Sequence, residues 1–492
     1  MTAILHFVSF IMMLPRLVPW PYRKAMRSAT AYRTARDLVA EVSAGHAAPS
    51  DIAGAVLADI AALEPNLNCF AHLDPADVMA QARALDDRIA KSEDPGPLAG
   101  LPVPIKDLIA MRGAPTAFGS RLMAGNVIDA DAPATARIRA AGAVMLGKST
   151  TSEFGCKAVG DSPLTGITRN PWNPDVTPGG SSAGAGALAA AGIVPVTIGT
   201  DGGGSVRIPA SLCGLFGMKG HFGRVPVWPV SATATLAHVG PLSRDVRDSA
   251  LMMNVISGFD FRDPYAVAEP VPDFLAACER DPKGLKILYS ETFGYARPDP
   301  AVAGLCRKAV ERLAALGCEI EERDHLFDDP VDLWASEFYA GVGTRLKDAM
   351  ATRRGEIDPG VAAMLDIALA QDLDAYMTKV FERYAFRDRI RGLFDDFDVI
   401  ASPTLPVTGV PVGRDVPEGL EDRSPVDWVF YTYPFNLTGH PASSINAGFT
   451  AAGLPTGLQM VAGPLGEEIL FTLAAAYQDA DTDKDRKPEG FI

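Results

Sequence analysis

The stretch at residues 177–209 reads TPGGSSAGAGALAAAGIVPVTIGTDGGGSVRIP, and two of its turns are rich in glycine and serine. These turns lie at residues 179–182 and 202–205, separated by small apolar residues and a short run rich in β-branched side chains. Glycine costs backbone entropy, so this density indicates positive φ angles or close approach to a ligand. Ser205 directly follows three glycines. A serine placed there can attack a carbonyl carbon while neighbouring N–H groups hold the developing oxyanion, which is the chemistry of acyl transfer.

A second motif lies upstream, where residues 100–107 read GLPVPIKD and follow the pattern G-x-P-x-x-x-K-D. Together the two motifs resemble the signature of the amidase signature family, whose serine hydrolases use a Lys–cis-Ser–Ser triad instead of Ser-His-Asp. The resemblance implies that Lys106 is the base, that Ser181 is the bridging serine with a cis peptide bond, and that Ser205 is the nucleophile. Further landmarks of the family lie in its order over about residues 30–475. They read GKSTTSEF at 147–154, RNPWN at 169–173, NLTGHPA at 436–442 and GLPTGLQ at 453–459.

The resemblance also implies a proton relay. A lysine acts as a base only when it is neutral, yet its unperturbed pKa is about 10.4. We therefore expect Lys106 to be buried, with no carboxylate close enough to hold its charge, so that its pKa is lowered. Lys106 would then withdraw a proton from Ser181, which would withdraw one from Ser205.

The residues around this relay have implied roles as well. The donors expected to hold the oxyanion are the backbone N–H groups of Gly202, Gly203, Gly204 and Ser205. Asp201 and Arg207 flank the turn with opposite charges, and the resemblance implies that they brace it through a salt bridge. Ser182 would hold the relay by hydrogen bonding. No metal or cofactor is required.

Composition narrows the partners that we expect. The formal net charge is −15, which gives no electrostatic footprint for nucleic acid or an anionic membrane. The six cysteines are scattered without a C-x-x-C pair, which argues against a zinc site or a disulfide scaffold and is compatible with a reducing compartment. We expect a cytoplasmic enzyme, monomeric or homodimeric, that takes a small-molecule amide as its substrate.

The alternation of strand and helix patterns predicts an α/β fold, a single large domain with a mixed β-sheet covered by helices on both faces. A capping box at residues 34–37 starts the first helix. Further helices are expected at 50–63, 75–91, 133–141, 182–191 and 300–316, with a long helical region at about 332–393. Strands are expected at 101–105, 143–146, 193–200, 319–322 and 399–402.

We assign residues 26–478 to one amidase domain. Its signature core covers about residues 100–225, and a variable helical region that forms the substrate pocket covers about 270–435. Residues 1–25 are either an N-terminal extension or the result of a mis-called start. Residues 479–492 form a polar tail.

Three short motifs point to other chemistries, and their context argues against each of them. Residues 142–149, GAVMLGKS, match the P-loop pattern, but the four inner residues are themselves an apolar strand. Residues 184–189, GAGALA, resemble a dinucleotide fingerprint, but the proline-rich segment 170–178 replaces the strand that it needs. We interpret these small residues as allowing a helix to pack closely.

The strongest rival is the pattern GSSAG at residues 180–184, which fits the nucleophile elbow of an α/β-hydrolase-type esterase. Ser182 would be its nucleophile, with Asp398 and His440 in the right chain order. The same prolines argue against a preceding strand, and Lys106 would be left without a role. We interpret His221 and His440 as structural.

The function implied by the resemblance is hydrolysis of a small linear carboxylic amide through an acyl-enzyme. Aryl amides, anilides and carbamates are among the candidate substrates, and esters should also react. The alternative is the glutaminase (A) subunit of an aminoacyl-tRNA amidotransferase, which would need a second protein as its partner and a site for the glutamine α-amino and carboxylate groups. An aromatic segment is expected to form an apolar substrate pocket or plain core. Its candidate pocket residues are Trp428, Tyr431, Tyr433 and Phe435.

Overall fold

The structure, a computed structural model, describes residues 27–491. The expectation for residues 1–25 lies outside these residues. The strands are β1 (Phe70–His72), β2 (Pro102–Lys106), β3 (Val144–Ser149), β4 (Asp161–Ser162), β5 (Gly166–Ile167), β6 (Val196–Asp201), β7 (Phe216–Lys219), β8 (His238–Ser243), β9 (Lys286–Tyr289), β10 (Glu319–Glu322), β11 (Val399–Pro403), β12 (Ala442–Phe449) and β13 (Pro455–Ala462). The helices are α1 (Ala35–Ser43), α2 (Pro49–Leu67), α3 (Pro75–Ala90), α4 (Pro133–Ala140), α5 (Ala183–Ala190), α6 (Arg207–Cys213), α7 (Val246–Ile256), α8 (Phe274–Ala277), α9 (Pro300–Ala315), α10 (Val331–Thr352), α11 (Pro359–Ala370), α12 (Leu373–Leu393), α13 (Pro434–Thr438) and α14 (Glu467–Asp479).

Eleven of the strands form one mixed sheet in the order β1-β3-β2-β6-β8-β7-β12-β13-β11-β9-β10. Strands β3, β2 and β6 are parallel neighbours, and so are β11, β9 and β10. The strands between these two groups pair in antiparallel fashion. Strands β4 and β5 form a separate pair. The predicted α/β fold with a mixed sheet is confirmed.

Helices cover both faces of the sheet. Successive side chains of a strand point to opposite sides, so each face has its own apolar side chains to bury. Ile287 and Val399 belong to one buried apolar cluster, which includes side chains of α7, α9 and α14. Their neighbours Leu288 and Ile400 belong to a second cluster, which includes side chains of α10, α11 and α12. Each face of β9 and β11 is therefore covered by its own set of helices.

The expected end of the second helix is wrong. Helix α2 continues through Pro65 to Leu67 instead of ending at residue 63. Leu63 and Leu67 are both buried and anchor this last turn, and the helix ends at Asn68 in the left-handed conformation with φ 55°. The long helical region at 332–393 is three helices, α10 to α12, and Asp358 caps the second of them by accepting hydrogen bonds from two backbone N–H groups.

The polar C-terminal segment is packed against the domain at two points. The Arg486 guanidinium lies 4.3 Å from the centre of the Phe449 ring, and the Lys487 ammonium lies 4.7 Å from that of Tyr32. Within residues 27–491, no helix combines the length and the apolar character needed to cross a membrane.

Candidate active site

The sheet brings the candidate residues to one edge. Strands β2 and β6 are parallel neighbours, paired through Ile105 and Ile198, so their carboxyl ends meet. Strand β2 ends at Lys106 and β6 ends at Asp201, from which the glycine turn leads into α6. Helix α5 begins directly after Ser181 and Ser182. Three segments that are distant in sequence therefore meet at this edge: the end of β2, the start of α5, and the end of β6 with its glycine turn.

Lys106 lies at the centre of this meeting point. Its Nζ is 2.7 Å from Ser181 Oγ, 2.9 Å from Ser182 Oγ and 2.8 Å from Thr200 Oγ1. The side chain is fully buried. Burial holds the pKa of Lys106 well below its ordinary value, although the charge of Asp201 acts in the opposite direction.

A neutral lysine amine has two N–H groups and one lone pair. Three hydroxyl partners therefore require that one hydroxyl donates to the lone pair. Ser182 Oγ lies 3.3 Å from the carbonyl oxygen of Thr200, to which it donates, so its own proton is already engaged. The arrangement can thus hold Lys106 neutral with a hydroxyl proton directed at its nitrogen.

Ser181 and Ser205 lie in the wall of one cavity. The peptide bond between Gly180 and Ser181 is cis. Among the hydrogen bonds of residues 27–491, none joins the two serine hydroxyls directly. The structure thus brings Lys106 and Ser181 into contact and places Ser205 in the same cavity wall.

The glycine turn corrects one of the expected oxyanion donors. The Gly204 N–H donates to Asp201 Oδ1 at 2.8 Å, so it is not available to an oxyanion. The reason is that the carboxylate lies directly below the turn, where Arg207 fixes it. The N–H groups of Gly202, Gly203 and Ser205 have no hydrogen-bond partner among the described residues.

The expected salt bridge between Asp201 and Arg207 is present, and both side chains are fully buried. Two guanidinium nitrogens donate to the two carboxylate oxygens, Nη2 to Oδ1 at 2.9 Å and Nε to Oδ2 at 3.0 Å. Burial alone would raise the pKa of Asp201, but the Arg207 charge and its hydrogen bonds outweigh burial and hold the pKa below its ordinary value.

The remaining donors of Arg207 reach residues that sequence reasoning did not assign to the site. Nη1 donates to Gln459 Oε1 at 2.7 Å and to the carbonyl oxygen of Thr432 at 2.9 Å, and Nη2 donates to Asn436 Oδ1 at 2.7 Å. Asn436 and Gln459 lie inside the two C-terminal landmarks, NLTGHPA and GLPTGLQ. Their position inside these two motifs is the feature of the sequence that could have identified them as site residues.

The carbonyl side of the turn is held by two further side chains. Trp334 Nε1 donates to the Gly202 carbonyl at 2.8 Å. Thr432 Oγ1 donates to the Gly203 carbonyl at 2.6 Å. Neither contact has a signal in the sequence, since a single Trp or Thr carries no pattern.

The cavity beside Ser205 has a volume of about 450 Å³ and a largely apolar wall. Its larger apolar residues are Leu108, Ile109, Phe118, Met123, Ile128, Phe154, Pro226, Val227, Trp228, Pro229, Val230, Val239, Phe338, Val342 and Leu346. Its polar lining beyond the serines consists of Asn126, Thr200, Ser231, Thr233, His238 and Arg345. Among the described lining residues there is no carboxylate, and burial holds the pKa of His238 well below its ordinary value. Such a cavity suits a small, mostly apolar ligand.

The aromatic residues expected in the pocket do not line this cavity. Trp428, Tyr431, Tyr433 and Phe435 are completely buried in the second apolar cluster. The two tyrosine hydroxyls donate to core partners, Tyr431 to the Glu291 carbonyl at 2.7 Å and Tyr433 to Asp329 Oδ1 at 2.6 Å. The expectation was wrong because these side chains fill the space beneath the helices. From the variable region, only α10 contributes to the wall.

The structure also argues against the three competing motifs. Lys148, the lysine of the P-loop pattern, lies within β3, where burial lowers its pKa to about 8. No strand occupies residues 170–178, and Ser182 is bound to Lys106 instead of a histidine. Within the described residues, neither ring nitrogen of His440 has a hydrogen-bond partner. The esterase hypothesis with Ser182 as nucleophile is therefore wrong.

A sequence model of the family described as Amidase matches residues 51–471. The chain belongs to the amidase signature family. This amidase is 34% identical over 464 residues to an acylamidase of Rhodococcus erythropolis, an alignment that covers 92% of the chain and 97% of that protein. It is 35% identical over 481 residues to the A-subunit of the glutamyl-tRNA(Gln) amidotransferase of Synechococcus sp. (strain RCC307), covering 90% of the chain and 96% of that protein.

Solved structures agree with this assignment. The crystal structure of a bacterial aryl acylamidase superposes with a TM-score of 0.87 at 28% identity, covering 92% of this amidase and 97% of that chain. A 6-aminohexanoate cyclic dimer hydrolase in complex with its substrate superposes with a TM-score of 0.85 at 26% identity, covering 94% of this amidase and 99% of that chain. The protein is thus a hydrolase of C–N amide bonds.

In the part of the chain that the structure describes, no group of three or more His, Cys, Asp or Glu residues could hold a metal ion. All six cysteines are free and buried.

Proposed function

We propose that this amidase cleaves small linear amides with an apolar acyl or aryl part, foremost aryl amides and anilides, through a Lys106–Ser181–Ser205 triad. One observation carries the proposal. A buried lysine with a lowered pKa is hydrogen-bonded to a serine in the wall of an apolar cavity of about 450 Å³ that Ser205 also lines. The likeness to an acylamidase and to an aryl acylamidase supports the substrate class.

In the proposed reaction, Ser205 Oγ attacks the amide carbonyl carbon and forms a C–O bond. Its proton passes to Ser181 as the Ser181 proton passes to Lys106 Nζ. The carbonyl oxygen becomes an oxyanion, held by the N–H groups of Gly202, Gly203 and Ser205. The C–N bond then breaks, the nitrogen takes the proton back along the relay, and the amine leaves.

The acyl group remains as an ester on Ser205. Water attacks this ester with the same relay as base, and the new C–O bond releases the carboxylic acid while Ser205 recovers its proton. Ester carbonyls react with the same serine nucleophile, so we expect esters to be cleaved as well.

The glutaminase alternative has support from the amidotransferase proteins among the relatives. Glutamine carries an α-ammonium group, which is best held by a carboxylate. None of the described residues that line the cavity is acidic. The cavity's one strongly basic group, Arg345, lies at its exposed side and donates to the Val230 carbonyl at 2.7 Å. The apolar wall therefore favours an apolar amide over glutamine.

We further propose a reducing, cytoplasmic location, which the six free buried cysteines support. The substrate is a small molecule, and a monomer or a homodimer is the proposed state in solution.

The test is a turnover panel of a p-nitroanilide, an aliphatic amide, an aryl carbamate and glutamine. Ser205→Ala should lower kcat by at least about 10⁴-fold for every substrate that the parent cleaves. Ser231→Ala removes a serine of the same cavity wall that is outside the relay and serves as the matched control. An acyl adduct on Ser205, found by mass spectrometry after rapid quenching, would identify the nucleophile.

Retained activity in Ser205→Ala would show that the nucleophile is wrongly assigned. Turnover of glutamine without turnover of the anilide, the amide or the carbamate would favour the glutaminase alternative.

A further inference from the structure

Trp334 of helix α10 contacts the glycine turn in two ways. Its Nε1–H donates to the Gly202 carbonyl at 2.8 Å. Its ring also covers Gly203, because a Cβ added there would lie only 2.5 Å from Trp334 Cζ2. The indole thus binds one glycine of the turn and occupies the space beside the next.

The hydrogen bond from Trp334 orients the whole peptide group between Gly202 and Gly203. The cis peptide bonds within residues 27–491 lie elsewhere, so the bond between Gly202 and Gly203 is trans. In a planar trans peptide the C=O and the following N–H point in opposite directions. Holding the Gly202 carbonyl on Trp334 therefore aims the Gly203 N–H away from the indole. That N–H has no partner among the described residues.

The next peptide of the turn provides an internal comparison. The Gly203 carbonyl accepts from Thr432 Oγ1 at 2.6 Å, and the Gly204 N–H donates to Asp201 Oδ1 at 2.8 Å. This peptide is held at both ends within the protein. The peptide before it is held only at its carbonyl, which leaves its N–H for a ligand.

The indole is itself held in place independently of any ligand. It stacks on Phe338, with ring centres 4.7 Å apart and planes at 28°, and on Tyr433, at 5.7 Å and 27°. Tyr433 is anchored through its hydroxyl to Asp329 at 2.6 Å. Phe338 also lines the cavity.

We propose that Trp334 is a positioning residue for the reaction. It orients the peptide between Gly202 and Gly203 so that the Gly203 N–H donates to the oxyanion of the tetrahedral intermediate. This inference rests on the proposed function. Oxyanion donors are effective because they are oriented before the charge develops. Glycine peptides have wide conformational freedom, so without the indole N–H this donor loses its fixed direction.

The test compares Trp334→Phe with the parent, using the anilide or other substrate that the parent cleaves best. We expect kcat to fall about ten- to hundredfold, which is less than the loss of an oxyanion donor altogether. KM should stay within about twofold, since the uncharged carbonyl depends less on that donor. Binding of an arylalkyl boronic acid, which forms a tetrahedral adduct on serine, should weaken by the same factor as kcat.

Two further variants separate positioning from packing. Val342→Ala alters the cavity wall and keeps both the indole N–H and the rings that stack on it, so it should change KM more than kcat. Trp428→Phe removes an indole N–H bonded to the Asp415 carbonyl at 3.1 Å, in the core and away from the cavity. It should lower Tm in the manner of Trp334→Phe while kcat stays at the parental value.

An unchanged kcat in Trp334→Phe, or a kcat that falls without weaker boronic acid binding, would overturn the inference. If Ser205→Ala is inactive while Trp334→Phe has the parental kcat, only this inference fails. If Ser205→Ala is active, the proposed function itself fails.

Discussion

Among residues 27–491, Lys106, Lys148 and Lys219 are completely buried, and their surroundings differ more than their burial. Lys148 Nζ has an aspartate, Asp107, at 4.0 Å. Lys219 Nζ binds the backbone carbonyls of residues 220 and 440 and lies 3.3 Å from His238 Nε2. Lys106 has three hydroxyl oxygens as its partners. Burial lowers the pKa of all three, and the two serine hydroxyls beside Lys106 support its proposed role as the base.

The lowered pKa of Lys106 predicts the pH dependence of catalysis. Below its pKa the amine is protonated and cannot act as a base, and above it the amine is neutral. We therefore expect kcat/KM to rise with pH and then level off, with a midpoint well below the ordinary lysine value of 10.5. Lys106→Arg keeps a charge at every accessible pH, so it should be inactive throughout. The check is a pH–rate profile of both proteins, and a midpoint near 10.5 or an active Lys106→Arg would contradict the prediction.

At this scale the motifs predicted contacts across long sequence distances. Lys106 and Ser181 are 75 residues apart and meet at hydrogen-bonding distance. Gly204 was wrongly expected as an oxyanion donor because its N–H belongs to the network beneath the turn. Trp334 could not be found from the sequence, since its contact with Gly202 depends on how α10 packs over the sheet.

Helices α5 and α9 show how the same residue type has opposite consequences in different elements. The small residues of α5 were interpreted as allowing close packing, and this is confirmed at Gly184. A Cβ added there would lie 2.2 Å from the Cys69 carbonyl oxygen and 2.6 Å from Thr150 N. A Cβ added at Gly304 of α9 would meet nothing within 4 Å.

These two glycines give a matched prediction for stability. Gly304→Ala should raise the free energy of unfolding by about 0.5–1 kcal/mol, because alanine has the higher helix propensity and no clash opposes it. Gly184→Ala should lower it by about 1–3 kcal/mol, because the backbone atoms around its Cβ cannot move away cheaply. Urea denaturation of the two variants beside the parent measures both. Equal effects of the two substitutions would refute the interpretation of α5.

The aromatic segment shows what element-scale patterns cannot resolve. A run such as Trp428 to Phe435 is apolar whether it lines a cavity or fills a core, and only tertiary packing decides between the two. The prediction that the second helix stops before Pro65 was wrong for a related reason. Two buried leucines hold that turn, which outweighs the local preference of proline.

At the scale of the whole molecule, a buried carboxylate on α7 contributes to the attachment of helix α1. Asp248 of α7 accepts hydrogen bonds from the N–H groups of Ala35, at 2.8 Å, and Arg36, at 3.3 Å. Burial raises the pKa of Asp248 to about 7, with the charge of Asp245 adding to the effect and the two N–H groups opposing it.

This raised pKa predicts how stability depends on pH. The pKa of an aspartate in the unfolded chain is about 3.9, whereas that of Asp248 in the folded protein is about 7. At pH values between the two, the folded state holds the proton more tightly than the unfolded state. The resulting stabilisation is complete below the lower value and is lost as pH rises through the upper one. Asp248→Asn should therefore show a smaller loss of stability between pH 5 and pH 8 than the parent.

Urea midpoints at the two pH values, at constant ionic strength, test this expectation. Asp422→Asn is the matched control, since that carboxylate is 59% exposed in a surface ion pair and its removal should leave the pH dependence unchanged. An identical pH dependence in Asp248→Asn and the parent would contradict the assignment.

The cavity wall is built mainly from residues 108–134, residues 226–239 and one face of α10, whereas the proposed triad lies on β2, before α5 and in the glycine turn. Most of the cavity wall and the proposed triad therefore lie on different stretches of the chain. A lineage can drift toward new amides by exchanging wall residues such as Met123, Ile128 or Val342 while its hydrolytic machinery is inherited intact. For the same reason, these wall positions are where a laboratory library should be diversified to retarget the enzyme.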